Sequence, residues 1–301
     1  MSIDSANFFW YGTSLSLQEY VCIASFVQKG FKVRVYSYGE LDLPEGAVLA
    51  DAAEILPNTD LGKYTHAGMP ANITAFSDAF RYNLLKRNGG WWFDADVFCL
   101  ANADKFSEII KNKSRNISVG FESLNYINNA VLYFDDEQLL NKIILELENA
   151  GTEFGWGAIG PRLITRVIDE LKLNEFVDPA GFFYSIHYDD LRRMYDPSSL
   201  EWCKAVSANS YTLHLWNEYI KVYKIPKNFI PPAGSYLYGL YLENCPQLAG
   251  LPALPFETVD VLFDHVDMRD EYKRLVGFEQ KIKNNLMVKK MLDLRKKLKG
   301  M

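Results

Sequence analysis

The first forty residues constrain the fold most, because they have the pattern of a strand, a helix and a second strand in direct succession. The run FFWYG at 8–12 is short and apolar and ends at a glycine. The next segment places apolar residues at helical spacing and ends at Gly30, and FKVRVYSYG at 31–39 alternates as a half-buried strand does. Strands joined in this way pair in parallel through a right-handed crossover. We therefore predict an α/β fold built around a mainly parallel sheet.

The rest of the chain continues with short apolar strands and amphipathic helices, without an internal repeat or a low-complexity linker. A helix over 75–87 should end at Gly89–Gly90 and lead into the strand WWFDADVFCL, which is broken at its aspartates. A length of 301 residues is sufficient for one large α/β domain with an appendage. We predict one α/β domain of catalytic size over 1–260 and a helical C-terminal extension over 261–301.

Composition excludes several classes of protein. No run approaches the roughly 20 apolar residues of a membrane helix, and the acidic N-terminus is unlike a signal peptide. The four cysteines are scattered without CxxC spacing, which predicts reduced thiols, no structural zinc and a cytoplasmic location. The net charge is −6, and no nucleic-acid-binding motif is present, which argues against a nucleic-acid partner.

The C-terminal tail differs from the acidic body, because residues 281–301 hold eight Lys/Arg and one Asp. Wound as a helix, the tail would place Met287, Met291 and Leu294 on one side among lysines. Such a helix can lie on an anionic membrane surface, which predicts peripheral association with the inner face of the cytoplasmic membrane. A solvated terminal helix packed on the domain is the alternative. The sequence carries no heptad pattern from which to argue an oligomeric state.

The aspartates at the end of the apolar run, Asp94 and Asp96, are the first candidates for a functional site. On a regular strand, side chains two residues apart share a face. Two carboxylates on one face repel each other unless a cation lies between them, and Mn²⁺ and Mg²⁺ prefer such oxygen ligands. Solvated carboxylates at a strand end are the alternative. Trp92 would share this face, so we predict that Trp92 rather than Trp91 faces the cleft.

The helix before this strand adds polar residues one turn apart, at Ser77, Asp78 and Arg81. Asp78 and Arg81, three residues apart, can face the same cleft. An ion pair on the helix surface is the alternative, and such a pair contributes little to stability. Because the helix runs through Gly89–Gly90 into the strand that carries the aspartates, we expect it to pack against the strand end.

Together these residues match the pattern S-D-x-x-R-Y-x-x-L-x-x-x-G-G-x-x-x-D-x-D, which resembles the DxD sugar-binding region of GT-A glycosyltransferases of the family 32 type. The matching positions are Ser77, Asp78, Arg81, Tyr82, Leu85, Gly89, Gly90, Asp94 and Asp96. Weaker likenesses extend over roughly 6–220 and include FFWYG, NNAVLYF at 128–134, GAIGPRLIT at 157–165 and LHLWN at 213–217. The resemblance implies a GT-A, Rossmann-like fold with a mixed, mainly parallel sheet flanked by helices.

The resemblance implies a nucleotide-diphosphate sugar, taken as a UDP-sugar, bound through Mn²⁺ or Mg²⁺. Asp94 and Asp96 would be the central metal-binding and catalytic residues. Asp78 and Arg81 would hold sugar hydroxyls, with Ser77 beside them, and arginine also offers a fork of donors to phosphate.

Further residues take roles by the same resemblance. Trp10 and its neighbour Tyr11 would bind the nucleotide base, with a core tryptophan as the alternative for Trp10. His214 or Asn217 would complete the metal shell, although a lone histidine is often structural. Asn129 would face the anomeric carbon, and Glu122 would face the acceptor.

The resemblance thus implies a retaining glycosyltransferase that uses a UDP-sugar donor. We predict a saccharide or lipid-linked oligosaccharide acceptor in bacterial surface polysaccharide synthesis, such as capsule or lipopolysaccharide. The motif window offers no clear nucleophile, which favours a front-face reaction that depends on positioning and charge. The alternatives are an effector-type enzyme that glycosylates a protein, a non-catalytic sugar- or metal-binding module, and a metal-dependent phosphohydrolase.

Overall fold

The computed structural model describes residues 3–66, 72–151, 153–154 and 157–284. The chain opens, as predicted, with β1 (Ser5–Phe9), α1 (Leu17–Gln28) and β2 (Lys32–Ser37), and β1 and β2 pair in parallel. The elements that follow are β3 (Val48–Asp51), β4 (Thr65–His66), α2 (Ile73–Asn88), β5 (Trp91–Phe93), β6 (Val97–Cys99), α3 (Ala103–Lys111), β7 (Ile117–Ser123), β8 (Tyr126–Phe134), α4 (Glu137–Asn149), β9 (Glu153–Phe154), α5 (Pro161–Glu170), α6 (Ala180–Phe183), α7 (Leu191–Tyr195), α8 (Leu200–Ser207), β10 (Thr212–His214), α9 (Asn217–Tyr223), α10 (Tyr236–Asn244) and α11 (Phe256–Asn284).

The main sheet has six strands in the order β3-β2-β1-β5-β8-β7. Its first four strands are parallel, whereas β8 is antiparallel to both β5 and β7. Two small sheets pair β6 with β10 and β4 with β9. The predicted α/β class, with a mixed and mainly parallel sheet flanked by helices, is confirmed.

Alternation along the strands divides the core into two layers. Phe8, Trp91 and Phe93 pack on one face of the sheet with residues of α1 and α3. Phe9 and Trp92 point to the other face and pack with residues of α2, α4 and α5. The two neighbouring tryptophans therefore lie on opposite sides of the sheet.

Two segments differ from the sequence patterns. The segment SYTLHLWNEY forms only a three-residue strand, because Trp216 adopts a left-handed backbone conformation with φ 58° and the helix α9 begins at Asn217. At the C-terminus, α11 continues from Phe256 through residue 260, and Val259 and Phe263 are buried in the core. The domain boundary at 260 stays a prediction.

The predicted apolar face of the tail, with Met287, Met291 and Leu294, lies outside the described residues. Among the helices of the part that is described, none combines the length and hydrophobicity that a membrane span requires. Membrane association through the tail stays a prediction.

Candidate functional site

A cavity of about 450 Å³ opens where the parallel strands β1 and β5 end. Its lining comes from the end of β1, the first turns of α2, the turn after β5, the hairpin of β7 and β8, and the start of α9. Ligands of open α/β sheets bind at the carboxyl ends of the strands, which is where this cavity lies.

Asp94 and Asp96 occupy a turn between β5 and β6. The Val97 N–H donates to the Asp94 carbonyl at 3.0 Å, and the Asp94 N–H donates to the Ala130 carbonyl at 2.8 Å. The regular-strand geometry assumed from the sequence is therefore wrong at the aspartates themselves, although the predicted break is confirmed. Both residues nevertheless line the cavity, because the turn replaces the strand alternation.

His214 reaches this turn because β10 pairs with β6, which places His214 opposite Val97. Its Nε2 lies 3.3 Å from Asp96 Oδ2. One ligand atom from each of Asp94, Asp96 and His214 lies within 4.8 Å of the others. The buried Nδ1 of His214 has no hydrogen-bond partner among the described residues. Two carboxylates and an imidazole form a donor set that suits Mn²⁺, so these residues fit the metal that the sequence predicts.

The two carboxylates differ in their electrostatic surroundings. Burial raises the pKa of Asp94, and the Arg81 charge counteracts part of that shift. Burial would also raise the pKa of Asp96, but the His214 charge and the N–H of Asn217 outweigh it, so the pKa of Asp96 is lowered. The pKa of His214 is raised, because its attraction to Asp96 outweighs its own burial.

Asn217 contacts Asp96 through its backbone. The left-handed conformation of Trp216, uncommon for a bulky residue, aims the Asn217 N–H at Asp96 Oδ2 at 2.7 Å. The side-chain amide points elsewhere: its Nδ2 donates to Glu19 Oε1 at 3.0 Å, and its Oδ1 accepts from Gln18 Nε2 at 2.8 Å. The amide oxygen is therefore hydrogen-bonded to Gln18. The role of Asn217 as a metal ligand stays a prediction.

Arg81 links α2 to the turn. Its Nη2 lies 3.2 Å from Asp94 Oδ1 and 3.4 Å from Ser77 Oγ, and its Nη1 donates to the Asn129 carbonyl at 2.6 Å. The guanidinium carbon lies 5.0 Å from the centre of the Trp92 ring. Arg81 is 3% exposed and lines the cavity, so its charge is fixed in place beside Asp94.

Asp78 lies behind the cavity lining rather than within it. Its Oδ1 accepts from Asn129 Nδ2 at 2.8 Å and lies 3.3 Å from Arg81 Nη2. On its other side Gly160 approaches so closely that a Cβ there would lie 2.4 Å from Asp78 Oδ2. Burial raises the pKa of Asp78 to about 6, against the opposing charge of Arg81. Asp78 thus contacts Arg81 and Asn129 from behind the lining, and its contact with sugar hydroxyls stays a prediction.

The remaining predicted residues also line the cavity: Trp10, Tyr11, Ser77, Trp92, Glu122 and Asn129. Trp92, as predicted, lies on the cavity side of the sheet, and its Nε1–H donates to Asp94 Oδ1 at 2.7 Å. Asn129 Nδ2 donates to Asp78 and, at 3.3 Å, to the Tyr82 hydroxyl. Their contacts with a donor or an acceptor stay predictions.

Several lining residues were not anticipated from the sequence. Asn128 donates to Glu122 Oε2 at 2.6 Å, and two successive asparagines in an apolar strand were an available signal for it. Tyr188 and Tyr219 stack with ring centres 4.2 Å apart and line the cavity beside Glu218. No local pattern marks this tyrosine pair, because its members come from separate segments.

Comparison with protein families yields two matches. The model of the alpha 1,4-glycosyltransferase conserved region matches residues 135–251, which include His214 and Asn217. The model of the capsular polysaccharide synthesis protein matches residues 55–130, which include the whole S-D…D-x-D window. Between them, the two ranges contain the residues that converge on the turn.

Comparison with curated proteins gives lactosylceramide 4-alpha-galactosyltransferases. The Rattus norvegicus protein is 26% identical over 184 residues, covering 56% of this chain and 49% of the relative. The Mus musculus protein is 23% identical over the same length, with the same shares covered. The chain spans about half the length of these two relatives. The matches confirm the resemblance to glycosyltransferases that the motif indicated.

Solved structures add only a distant likeness. The PaToxG glycosyltransferase aligns with a TM-score of 0.39 and 11% identity, over 69% of this chain and 88% of that one. The apo form of the glycosyltransferase GlyE of Streptococcus pneumoniae aligns with a TM-score of 0.40 and 12% identity, over 88% and 64%. At these scores the likeness carries no argument about function.

Proposed function

We propose that this chain is a metal-dependent, retaining glycosyltransferase. It would move a sugar from a nucleotide-diphosphate donor, a UDP-sugar, to a saccharide or lipid-linked oligosaccharide in surface polysaccharide synthesis. The observation that supports it most is the convergence of Asp94, Asp96 and His214 within 4.8 Å at the carboxyl ends of parallel strands, with Arg81 beside them. The matched alpha 1,4-glycosyltransferase and capsular polysaccharide synthesis families support the same class of reaction.

Asp94, Asp96 and His214 would hold the metal ion. When bound, Mn²⁺ or Mg²⁺ supplies positive charge that stabilises a departing diphosphate. Arg81 would add a second positive charge close to the same place. Its hydrogen bonds to Asn129 and Ser77 hold the guanidinium ready, so little reorganisation is needed when the donor binds.

The two ends of the donor would meet different linings. Trp10 and Tyr11, at the end of β1, offer aromatic surface to the base. Asn129 and Glu122, on the β7–β8 hairpin, lie in the same cavity and would face the sugar and the acceptor. Retention by a front-face route requires mainly that donor and acceptor are held in the reactive orientation, which this set of fixed polar groups can provide.

The acceptor would lie against Tyr188 and Tyr219. Stacked tyrosines offer apolar surface and hydroxyl groups to a sugar ring. The carboxylates of Glu122 and Glu218 line the same cavity, and Arg81 is the only lysine or arginine among its described lining residues. Because Arg81 is already paired with Asp94, this charge distribution favours a neutral saccharide over an acidic one.

A screen of sugar nucleotides without acceptor tests the proposal and identifies the donor. Slow hydrolysis of one UDP-sugar that requires Mn²⁺, followed by mass spectrometry, is the expected result. The matched control is Asp178→Asn, which alters a buried carboxylate outside the cavity lining and should leave hydrolysis intact. Turnover of simple phosphodiesters with no sugar-nucleotide hydrolysis would instead identify a phosphohydrolase.

A further inference from the structure

Glu19 is a fully buried carboxylate in the first turn of α1, at 0% exposure. The spacing Ser16-x-x-Glu19 is that of a capping box, in which the serine side chain accepts from the helix backbone. Ser16 makes no such side-chain bond here and instead donates to Glu19 Oε2. The other oxygen, Oε1, accepts from Asn217 Nδ2 at 3.0 Å and from Lys227 Nζ. The carboxylate thus joins elements about two hundred residues apart.

This arrangement is a costly way to stabilise a fold. Burying a charged pair costs desolvation energy that its attraction often fails to repay. Lys227 retains 29% exposure of its side chain, so most of the desolvation falls on Glu19. Buried polar groups can instead fix the geometry of the elements that they join, and this pair joins α1 to Asn217.

Asn217 connects this pair to the metal-binding turn. Its side chain is held by Glu19 and Gln18, with Lys227 Nζ 3.5 Å from its Oδ1. Its backbone N–H donates to Asp96 Oδ2, the same oxygen that lies 3.3 Å from His214 Nε2. The side-chain hydrogen bonds of Asn217 therefore hold the start of α9 against α1, at the residue whose N–H contacts the Asp96 carboxylate.

We propose that Glu19 is a positioning residue that orients Asp96 for metal binding through Asn217. The proposal rests on the proposed function, because that function places the metal on Asp96. Residues that orient metal ligands typically change metal affinity by about 10–100-fold when they are altered. Glu19 is not among the lining residues of the cavity, and the lining residue to which it is hydrogen-bonded is Asn217.

The first test needs no metal. In ¹⁵N-labelled, metal-free protein, Glu19→Gln should move the backbone amide resonance of Asn217, because the charge-assisted bond that fixes its side chain is weakened. The matched control is Asp178→Asn, which changes another buried carboxylate–lysine pair, at 2.7 Å from Lys113. That control should leave the Asn217 amide unmoved. An unmoved Asn217 amide in folded Glu19→Gln overturns the proposal.

The second test measures Mn²⁺ affinity by electron paramagnetic resonance of free Mn²⁺, in the presence of UDP. Glu19→Gln should weaken binding about tenfold, and Asp178→Asn by less than twofold. In an Asn217→Ala background, Glu19→Gln should have no further effect. Full additivity of the two changes overturns the route through Asn217, and unchanged affinity in Glu19→Gln overturns the positioning role.

The two tests separate failure of the proposed function from failure of the positioning role of Glu19. If the wild type binds no Mn²⁺, the proposed function fails, whereas the amide resonance still decides whether Glu19 orients Asn217. If Glu19→Gln does not fold, Lys227→Met replaces it in both tests. Lys227 is partly exposed and contacts both Glu19 and Asn217. Lys227→Met should move the same amide and weaken Mn²⁺ binding, and failure to do either overturns the proposal.

Discussion

Asp94 and Asp96 lie two residues apart in one turn, yet they belong to two differently built halves of the site. Asp94 is held by Arg81 and Trp92, which come from the same twenty-residue window. Asp96 is held by His214 and Asn217, which arrive more than a hundred residues later through the pairing of β6 with β10. The pKa of Asp94 is raised and that of Asp96 is lowered. The first half, which we call the local half, is formed by residues close together in the sequence. The second half forms only when distant segments of the chain fold together.

The largest effect is expected from breaking the local half at Arg81. Arg81→Ala would leave Asp78 and Asp94 without their buried positive partner, and removing one partner of a buried ion pair typically costs 3–5 kcal/mol. Urea unfolding should show a loss of about that size, with loss of UDP-dependent stabilisation. Lys86→Ala, an exposed change on the same helix, should alter stability by less than about 0.5 kcal/mol. Equal stability of Arg81→Ala and the wild type would contradict the account of this half.

The pH dependence of stability gives a second test of the local half, through the buried carboxyl group of Asp78. Burial raises the pKa of Asp78 in the folded protein to about 6, above the ordinary aspartate value of 3.8, so the unfolded state ionises first as the pH rises. Asp78 therefore lowers the free energy of unfolding progressively from about pH 4 to pH 6, by on the order of 3 kcal/mol at most. Asp78→Asn should remove this decline, so the free energy of unfolding of the variant should rise relative to that of the wild type as the pH rises.

Asp196 should change the stability of the fold with pH in the opposite direction. Its pKa is lowered, because hydrogen bonds from Ser198 and Ser199 outweigh the effect of burial. The stability it contributes is present above its unfolded pKa and is lost as the pH falls through its folded pKa. Asp196→Asn should therefore lose stability relative to the wild type near neutral pH. Parallel pH curves for Asp78→Asn and the wild type would contradict the account of Asp78.

Close packing of Gly160 against Asp78 predicts a loss of stability smaller than that of Arg81→Ala. Gly160→Ala would place a Cβ 2.4 Å from Asp78 Oδ2, and such overpacking typically costs 1–3 kcal/mol. Asp78→Ser should relieve much of that loss in the double variant, because it removes the oxygen that is approached. Gly181→Ala is the control, because a Cβ at Gly181 meets nothing within 4 Å. Unfolding by urea gives the comparison, and a Gly160→Ala protein as stable as the control would contradict this packing.

The smallest effect is expected at Trp92. Trp92→Phe removes the indole donor to Asp94 Oδ1 but keeps aromatic surface beside Arg81, so the loss should be about 1 kcal/mol. Mn²⁺ affinity should fall only a few-fold, because Asp94 keeps its contact with Arg81. Trp91→Phe, on the opposite face of the sheet, should leave Mn²⁺ affinity unchanged. Equal effects of the two changes on Mn²⁺ binding would contradict the assignment of faces.

Sequence periods group the residues of the local half, whereas they do not group those of the other half, for a physical reason. Helical and strand periods, with Gly89–Gly90 between them, determine how α2 meets β5, so Ser77, Arg81 and Asp94 could be grouped in advance. His214 was reached only through resemblance, because a strand of three residues gives little periodic signal. The contact of Glu19 with Asn217 could not be predicted, since Ser16-x-x-Glu19 has the pattern of an ordinary helix cap.

The same limit applies to Asp78. Its spacing from Arg81 on α2 indicated that the two side chains share one side of the helix, where they lie 3.3 Å apart. Its position behind the cavity lining depends on the close approach of Gly160, eighty-two residues away, which no local pattern encodes.

The melting temperature of the protein with UDP, with Mn²⁺, and with both tests whether Asp94, Asp96 and His214 bind a metal that holds the diphosphate. We expect a clear rise only when both are present, because a metal ion on Asp94, Asp96 and His214 would link the diphosphate to the protein. Asp96→Asn should remain folded and lose that rise, whereas Asp178→Asn should melt earlier and keep it. A folded wild type whose melting temperature does not respond to UDP and Mn²⁺ together would contradict the claim.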